Sequence, residues 1–181
     1  MKRFHWVLSG LLIAVMMCAA APAKPQPEQK TVTKKKVDFR WETNFKTAQK
    51  RAEKEKKPML VLFTGSDWCP YCVKLENEIL SKAVFQEFAA EEVAAVYLDF
   101  PKRKRLSKKE QEANEKLRKE FDVRGYPTML LLDKEGKKVQ KQFGYSKVEA
   151  DVYVQHLRNA VKAYQEESRK RPLANTIVRK R

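Results

Sequence analysis

The chain reads as an α/β protein, with one mixed central sheet and helices packed on both of its faces. Three observations predict this. Met59–Thr64 and Val93–Phe100 are unbroken apolar runs, as strands covered on both sides require. Stretches of helical period separate them from each other and from a third run, Thr128–Asp133, and helical crossovers imply parallel strands. Val139–Phe143 alternates apolar and polar residues after a Lys134–Lys137 turn, which adds an antiparallel hairpin at the end of the sheet.

Taken in order, Lys2 and Arg3, the apolar run Trp6–Ala21 and small Ala21 and Ala23 predict a cleaved secretory signal over 1–23. The run is shorter than the roughly 20 residues that span a bilayer. The mature protein is therefore expected near Lys24, exported across an inner membrane into a periplasm. Lipid attachment at Cys18 is the alternative; Met17 before it is not the small residue such a signal uses. Residues 24–36 are rich in Pro, Gln, Lys and Thr and form a disordered tether. A single domain is expected over 37–165. Within it, Val37–Trp41 alternates as a short strand, and 44–57 places Phe45, Ala48 and Ala52 on one helical face before Pro58. A helix opens at Cys69 and runs to Leu80, and a short one follows from Ser81 to Ala90. Pro101–Ser107 is a basic loop and Lys108–Phe121 a charged helix. Ser146 and Glu149 form a capping box opening a helix with Val148, Val152, Leu157, Ala160, Val161 and Tyr164 on its stripe. Residues 166–181 are a basic tail expected to fray.

The 181 residues carry a net charge of +16, are 43% hydrophobic and 34% charged, and suit one buried domain with solvated extensions. Such a surface attracts acidic partners through screened contacts, but no nucleic-acid motif accompanies it, so no nucleic-acid partner is expected. Nor does any segment mark a dimer interface; a monomer is expected.

With the signal removed, Cys69 and Cys72 remain. A structural disulfide stabilises most when it closes a long loop, and this pair closes almost none. Its value is chemical. Cys69 follows a buried strand and opens a helix, where free backbone N–H groups and the helix dipole favour a thiolate. Pro70 suits the first turn, having no N–H to leave unpaired. Cys72, one turn on, can attack a mixed disulfide on Cys69, while Trp68 and Tyr71 frame the sulfur. Zinc wants four ligands, and besides the two thiols the mature chain offers only His156 as a histidine; neither metal nor other cofactor is expected. Cu(I) capture by the thiols is a weaker alternative. Glu76 shares a helical face with both cysteines and can take the proton of Cys72 or simply pair with a lysine. Pro127, in Gly125-Tyr126-Pro127-Thr128 before a buried strand, is either a plain strand-start proline or a cis proline offering the Tyr126 backbone to substrate.

Trp68-Cys69-Pro70-Tyr71-Cys72 after a buried strand, with Gly125-Tyr126-Pro127-Thr128 about 55 residues later, resembles the thioredoxin-fold thiol–disulfide oxidoreductases. The likeness covers Val37–Tyr164, and Asp67-Trp68 with Lys74 and Glu76 is similar to the periplasmic C-terminal domain of DsbD and its single-domain relatives. It implies a three-layer thioredoxin-like fold, Cys69 as attacking thiol, Cys72 as resolving thiol, cis Pro127 and proton handling by Glu76. It also implies protein thiols or disulfides as substrates, and a membrane or periplasmic partner in electron exchange. A reductant is expected ahead of an oxidase or isomerase. Two departures stand out: Phe63 occupies the place of a buried Asp six residues before the first cysteine, and Ala95 that of a strand Lys.

Overall fold

A computed structural model describes residues 39–139 and 142–178. The segments assigned to signal and tether, 1–23 with Cys18 and 24–36, lie outside the described residues, as do Val37, Asp38 and 179–181.

The central strand β1, Met59–Thr64, is wholly buried. It pairs in parallel with β2, Ala94–Asp99, and antiparallel with β3, Thr128–Leu132, in the order β2-β1-β3. All three strands fall where the apolar runs predict them. The direction of β3 departs from the rule that helical crossovers link parallel strands. β2 leaves the sheet at Asp99, level with Thr64, and β3 enters opposite Phe63. The intervening loops and helix therefore return the chain to the end it left, and the next strand must run backwards.

Alternation along β1 divides the core in two. Leu60 and Leu62 face α2, Pro70–Leu75, with its continuation to Leu80, and also α3, Ala83–Glu92, and α5, Ala150–Val178. Met59, Val61 and Phe63 face α1, Phe45–Glu55, and α4, Lys108–Glu120. Both faces are thus covered by helices, as expected. Ala48 and Ala52 are buried on α1 as its period requires, but the helix stops before Pro58: Lys56 takes a left-handed conformation (φ 55°) and its N–H donates to the Ala52 carbonyl.

Three local expectations change. Phe39, Arg40 and Trp41 form no strand; a single parallel bridge joins Glu42 to Val96. Phe39 and Trp41 instead pack their rings on Phe85, at 6.1 and 5.7 Å between centroids, so burial rather than pairing explains their alternation. The hairpin partner of β3 is present as antiparallel bridges from Leu132 to Lys138 and from Met129 to Phe143, with 140 and 141 outside the described residues. Finally, α5 starts at Ala150, beyond the Ser146–Glu149 box. Val148 and Val152 are exposed; the buried stripe instead runs through Ala150, Tyr153, Val154, Leu157, Ala160 and Val161, and the helix continues past Glu166 to Val178.

Candidate active site

At the carboxyl end of β1 the chain turns through Gly65–Trp68 into α2, whose N-cap is Cys69 and whose first residue is Pro70. A capping residue turns its side chain back over the free N–H groups of the first turn. Here that side chain is a thiol: the Cys72 N–H donates to Cys69 Sγ at 3.3 Å. The Cys69 thiol in turn donates to the Tyr126 carbonyl at 3.6 Å, and the Tyr126–Pro127 peptide is cis. Two motifs 57 positions apart thus meet at one sulfur. Cys69 retains only 5% of its surface, so it is less exposed than its place at a helix start predicts. Trp68, Tyr126 and Pro127, each half-buried, lie around it. Neither cysteine belongs to the two apolar cores.

Cys72 lies beneath, 3% exposed, and accepts from the Gly65 N–H at 3.4 Å. Burial and the adjacent Cys69 thiol push its pKa up to about 11, against the opposing Gly65 N–H and Thr64 hydroxyl. Cys72 therefore holds its proton until something removes it. Glu76, on the next turn, is half-buried, and burial raises its pKa as well. There the helix loosens: Glu76–Leu80 is π-helical, closed by the Ser81 N–H donating to the Glu76 carbonyl at 2.9 Å. Such insertions recur at functional sites. Sequence reasoning missed Thr64 and Tyr97, which share the α2 side of the sheet with Leu62, whereas Phe63, in the place of the absent Asp, faces α1 and α4. Thr64 and Tyr97 both lie on the β1–β2 face under α2, where the Thr64 hydroxyl opposes the upward shift that burial gives Cys72 and Tyr97. No local motif marks them, because only the parallel register brings them together.

Tyr71 does not close over the sulfur. It is 59% exposed and packs on Tyr145, 5.9 Å between centroids, whose hydroxyl donates to Glu78 at 2.6 Å. Trp68 is held from several sides: its indole N–H donates to the Phe100 carbonyl at 2.7 Å, and its ring meets Tyr126 edge-on at 5.8 Å. The indole lies on bare backbone, since a Cβ on Gly65 would come within 2.5 Å of it.

The basic loop is latched to the same turn. Asp67 accepts from the Lys102, Arg103 and Lys104 N–H groups at 2.9, 2.7 and 2.8 Å, and Ser66 donates through its N–H and hydroxyl to Asp99. Led by the Lys102 N–H, these donors hold the Asp67 pKa down to about 2, from 3.8. A lowered carboxylate pKa adds stability above the unfolded value, lost as pH falls through the folded one. Trp68 fluorescence is therefore expected to stay native-like from neutrality to about pH 4 and to change as pH falls towards 2. The Asp67→Asn variant should show the altered emission already at neutral pH; an unchanged spectrum would refute the latch.

Among the described residues, no group of three or more His, Cys, Asp or Glu could hold a metal ion. No helix among them is long and apolar enough to cross a membrane.

A family model described as a thioredoxin-like domain matches residues 45–160. The disulfide bond reductase DsbH of Chlamydia pneumoniae is 29% identical over 155 residues, 84% of this chain and 92% of that protein. Among solved structures, a DsbH oxidoreductase superposes with a TM-score of 0.68 at 28% identity, covering 77% of this chain and 95% of the other. The oxidised C-terminal domain of Neisseria meningitidis DsbD gives 0.49 at 20% identity, over 67% and 99%.

Proposed function

The chain belongs to the thioredoxin-like domain family, and from that premise we propose an exported thiol–disulfide oxidoreductase that reduces protein disulfides. The observation that carries this reading is the Cys69 sulfur, seated on a helix N-terminus, touched by the Tyr126 carbonyl and backed by a protonated Cys72. Cys69 Sγ, as thiolate, attacks one sulfur of a substrate disulfide; that bond breaks and the other substrate sulfur leaves as thiolate. Cys72 then gives up its proton and attacks Cys69 Sγ, expelling the second substrate thiolate. Two electrons pass to the substrate, and Cys69–Cys72 becomes the disulfide. A thiol donor, in the membrane or the periplasm, must return the pair to dithiol.

Cys72 needs a base for the second step, and Glu76 is the carboxylate on its own helix face. Because burial raises the Glu76 pKa, more of it stays protonated in mildly acidic solution, and resolution should accelerate as pH rises through that raised value. The Glu76→Gln variant is expected to slow resolution by about 100-fold, in line with general-base contributions, and to lose that pH step. Stopped-flow release of substrate thiol measures both. An unaltered pH profile would leave Glu76 no part in proton transfer.

Support for the reducing direction comes from the relative named a disulfide bond reductase. Support for export comes from the apolar N-terminal segment after Lys2 and Arg3. Equilibration against glutathione tests the direction. A couple at roughly −200 mV or below agrees with a reductant, and one near roughly −120 mV makes the protein an oxidant.

A further inference from the structure

We propose that the 102–109 segment is an electrostatic docking strip, which selects substrate proteins carrying acidic residues beside the disulfide to be reduced. The proposal rests on the oxidoreductase reading and names its substrate class. Lys102, Arg103, Lys104, Arg105, Lys108 and Lys109 place six cations in eight positions, all exposed. None of them enters an ion pair among the described residues. Glu110, next in sequence, is spent in the capping box with Ser107.

A run of surface cations is ordinarily a solvated face. This one differs in being fixed in place beside the reactive turn. Three backbone N–H groups of the strip end on Asp67, two residues before Cys69. Lys102 Nζ lies 4.1 Å from the Trp68 ring centroid, against the residue that precedes Cys69. At the far end, the Asn114 amide donates to the Asp99 carbonyl at 3.0 Å and pins α4 to the end of β2. The backbone that carries the cations is therefore held in place, so little backbone ordering entropy is lost when a partner binds. Two residues span at most about 7 Å. An extended substrate segment with its cysteine at Cys69 would thus bring acidic side chains about three to five residues away onto the strip.

A protein segment fits this position better than an anionic membrane. A bilayer lying on a strip so close to Trp68 would obstruct the approach of a second protein to Cys69. Tyr71, 59% exposed at the start of α2, offers an apolar surface for the uncharged part of such a segment.

The test uses the dithiol protein and three peptide disulfides of equal length, flanked by Asp/Glu, by Lys/Arg or by Ser. At low salt, kcat/KM for the acidic peptide should exceed that for the basic one by about 10-fold or more, within the range of electrostatic steering. The preference should collapse in about 0.5 M salt, where screening lengths are only a few ångströms. The triple variant Arg103→Gln, Lys104→Gln, Arg105→Gln keeps every backbone donor to Asp67 and should lose most of the preference, with the Ser-flanked peptide unaffected. Lys46→Gln, Lys50→Gln, Lys54→Gln on α1 removes the same charge elsewhere and should retain the preference. Equal rates for acidic and basic peptides in the unaltered protein, or equal loss in both triple variants, overturn the strip. So does binding to anionic phospholipid vesicles that the 103–105 variant loses while peptide preference is absent. Failure to reduce any of the three peptides would instead refute the oxidoreductase reading, and the strip with it.

Discussion

Changing Cys69 to Ser is expected to lower kcat/KM for disulfide reduction by at least about three orders of magnitude, as removal of a nucleophile does. A serine hydroxyl accepts the Cys72 N–H as well as sulfur does, so α2 keeps its cap and the domain should remain folded. Changing Cys72 to Ser separates the two half-reactions. The first attack still occurs, but no thiol lies behind it, so a covalent adduct of substrate with Cys69 accumulates. Non-reducing electrophoresis or intact mass would display it. Loss of activity in both variants without an adduct in the second would break the proposed order of attack and resolution. Near-normal turnover in the first would remove Cys69 from the chemistry altogether.

Outside the site, the largest effect is expected at Phe85. Its side chain is fully buried on α3, with Trp41 stacked at 5.7 Å, Phe39 edge-on at 6.1 Å and Phe88 at 6.2 Å. Phe85→Ala removes a ring from the centre of this cluster and leaves a cavity between α3 and the Phe39–Trp41 segment. A loss of about 3–5 kcal/mol is expected, read from urea unfolding as a lower midpoint at constant slope. That is a large share of the roughly 5–15 kcal/mol typical of a domain. The same unfolding should release Phe39 and Trp41, whose packing on Phe85 adds to the single bridge that Glu42 makes with Val96. A loss below about 1 kcal/mol would mean that segment is not anchored there.

Most of the fold was legible in local pattern. β1 begins and ends where its apolar run does, α1 buries the alanines its period selects, and α4 spans Lys108–Glu120 where the charged helix was expected. These features rest on interactions within about four residues, which a linear reading can follow. The start of α5 was misread for a related reason. Ser146 and Glu149 have the spacing of a capping box, yet Phe143 is still paired to Met129 there and Tyr145 is drawn to Glu78. Tertiary commitments of those neighbours delay the helix to Ala150.

The site divides along the same line. By itself the sequence determined that two thiols stand one helical turn apart at a strand-to-helix junction, with a carboxylate on the same face. Only the tertiary structure decided what surrounds them: the Tyr126 carbonyl against Cys69, Thr64 and Tyr97 beneath Cys72, the basic strip tied to Asp67, and the backward run of β3. Helix starts, caps and apolar periods are short-range, whereas donors and acceptors 30 to 60 residues apart are matched only when the sheet register closes. The burial of Cys69 is of that second kind, since the Tyr126–Pro127 segment beside it lies 57 residues further along the chain.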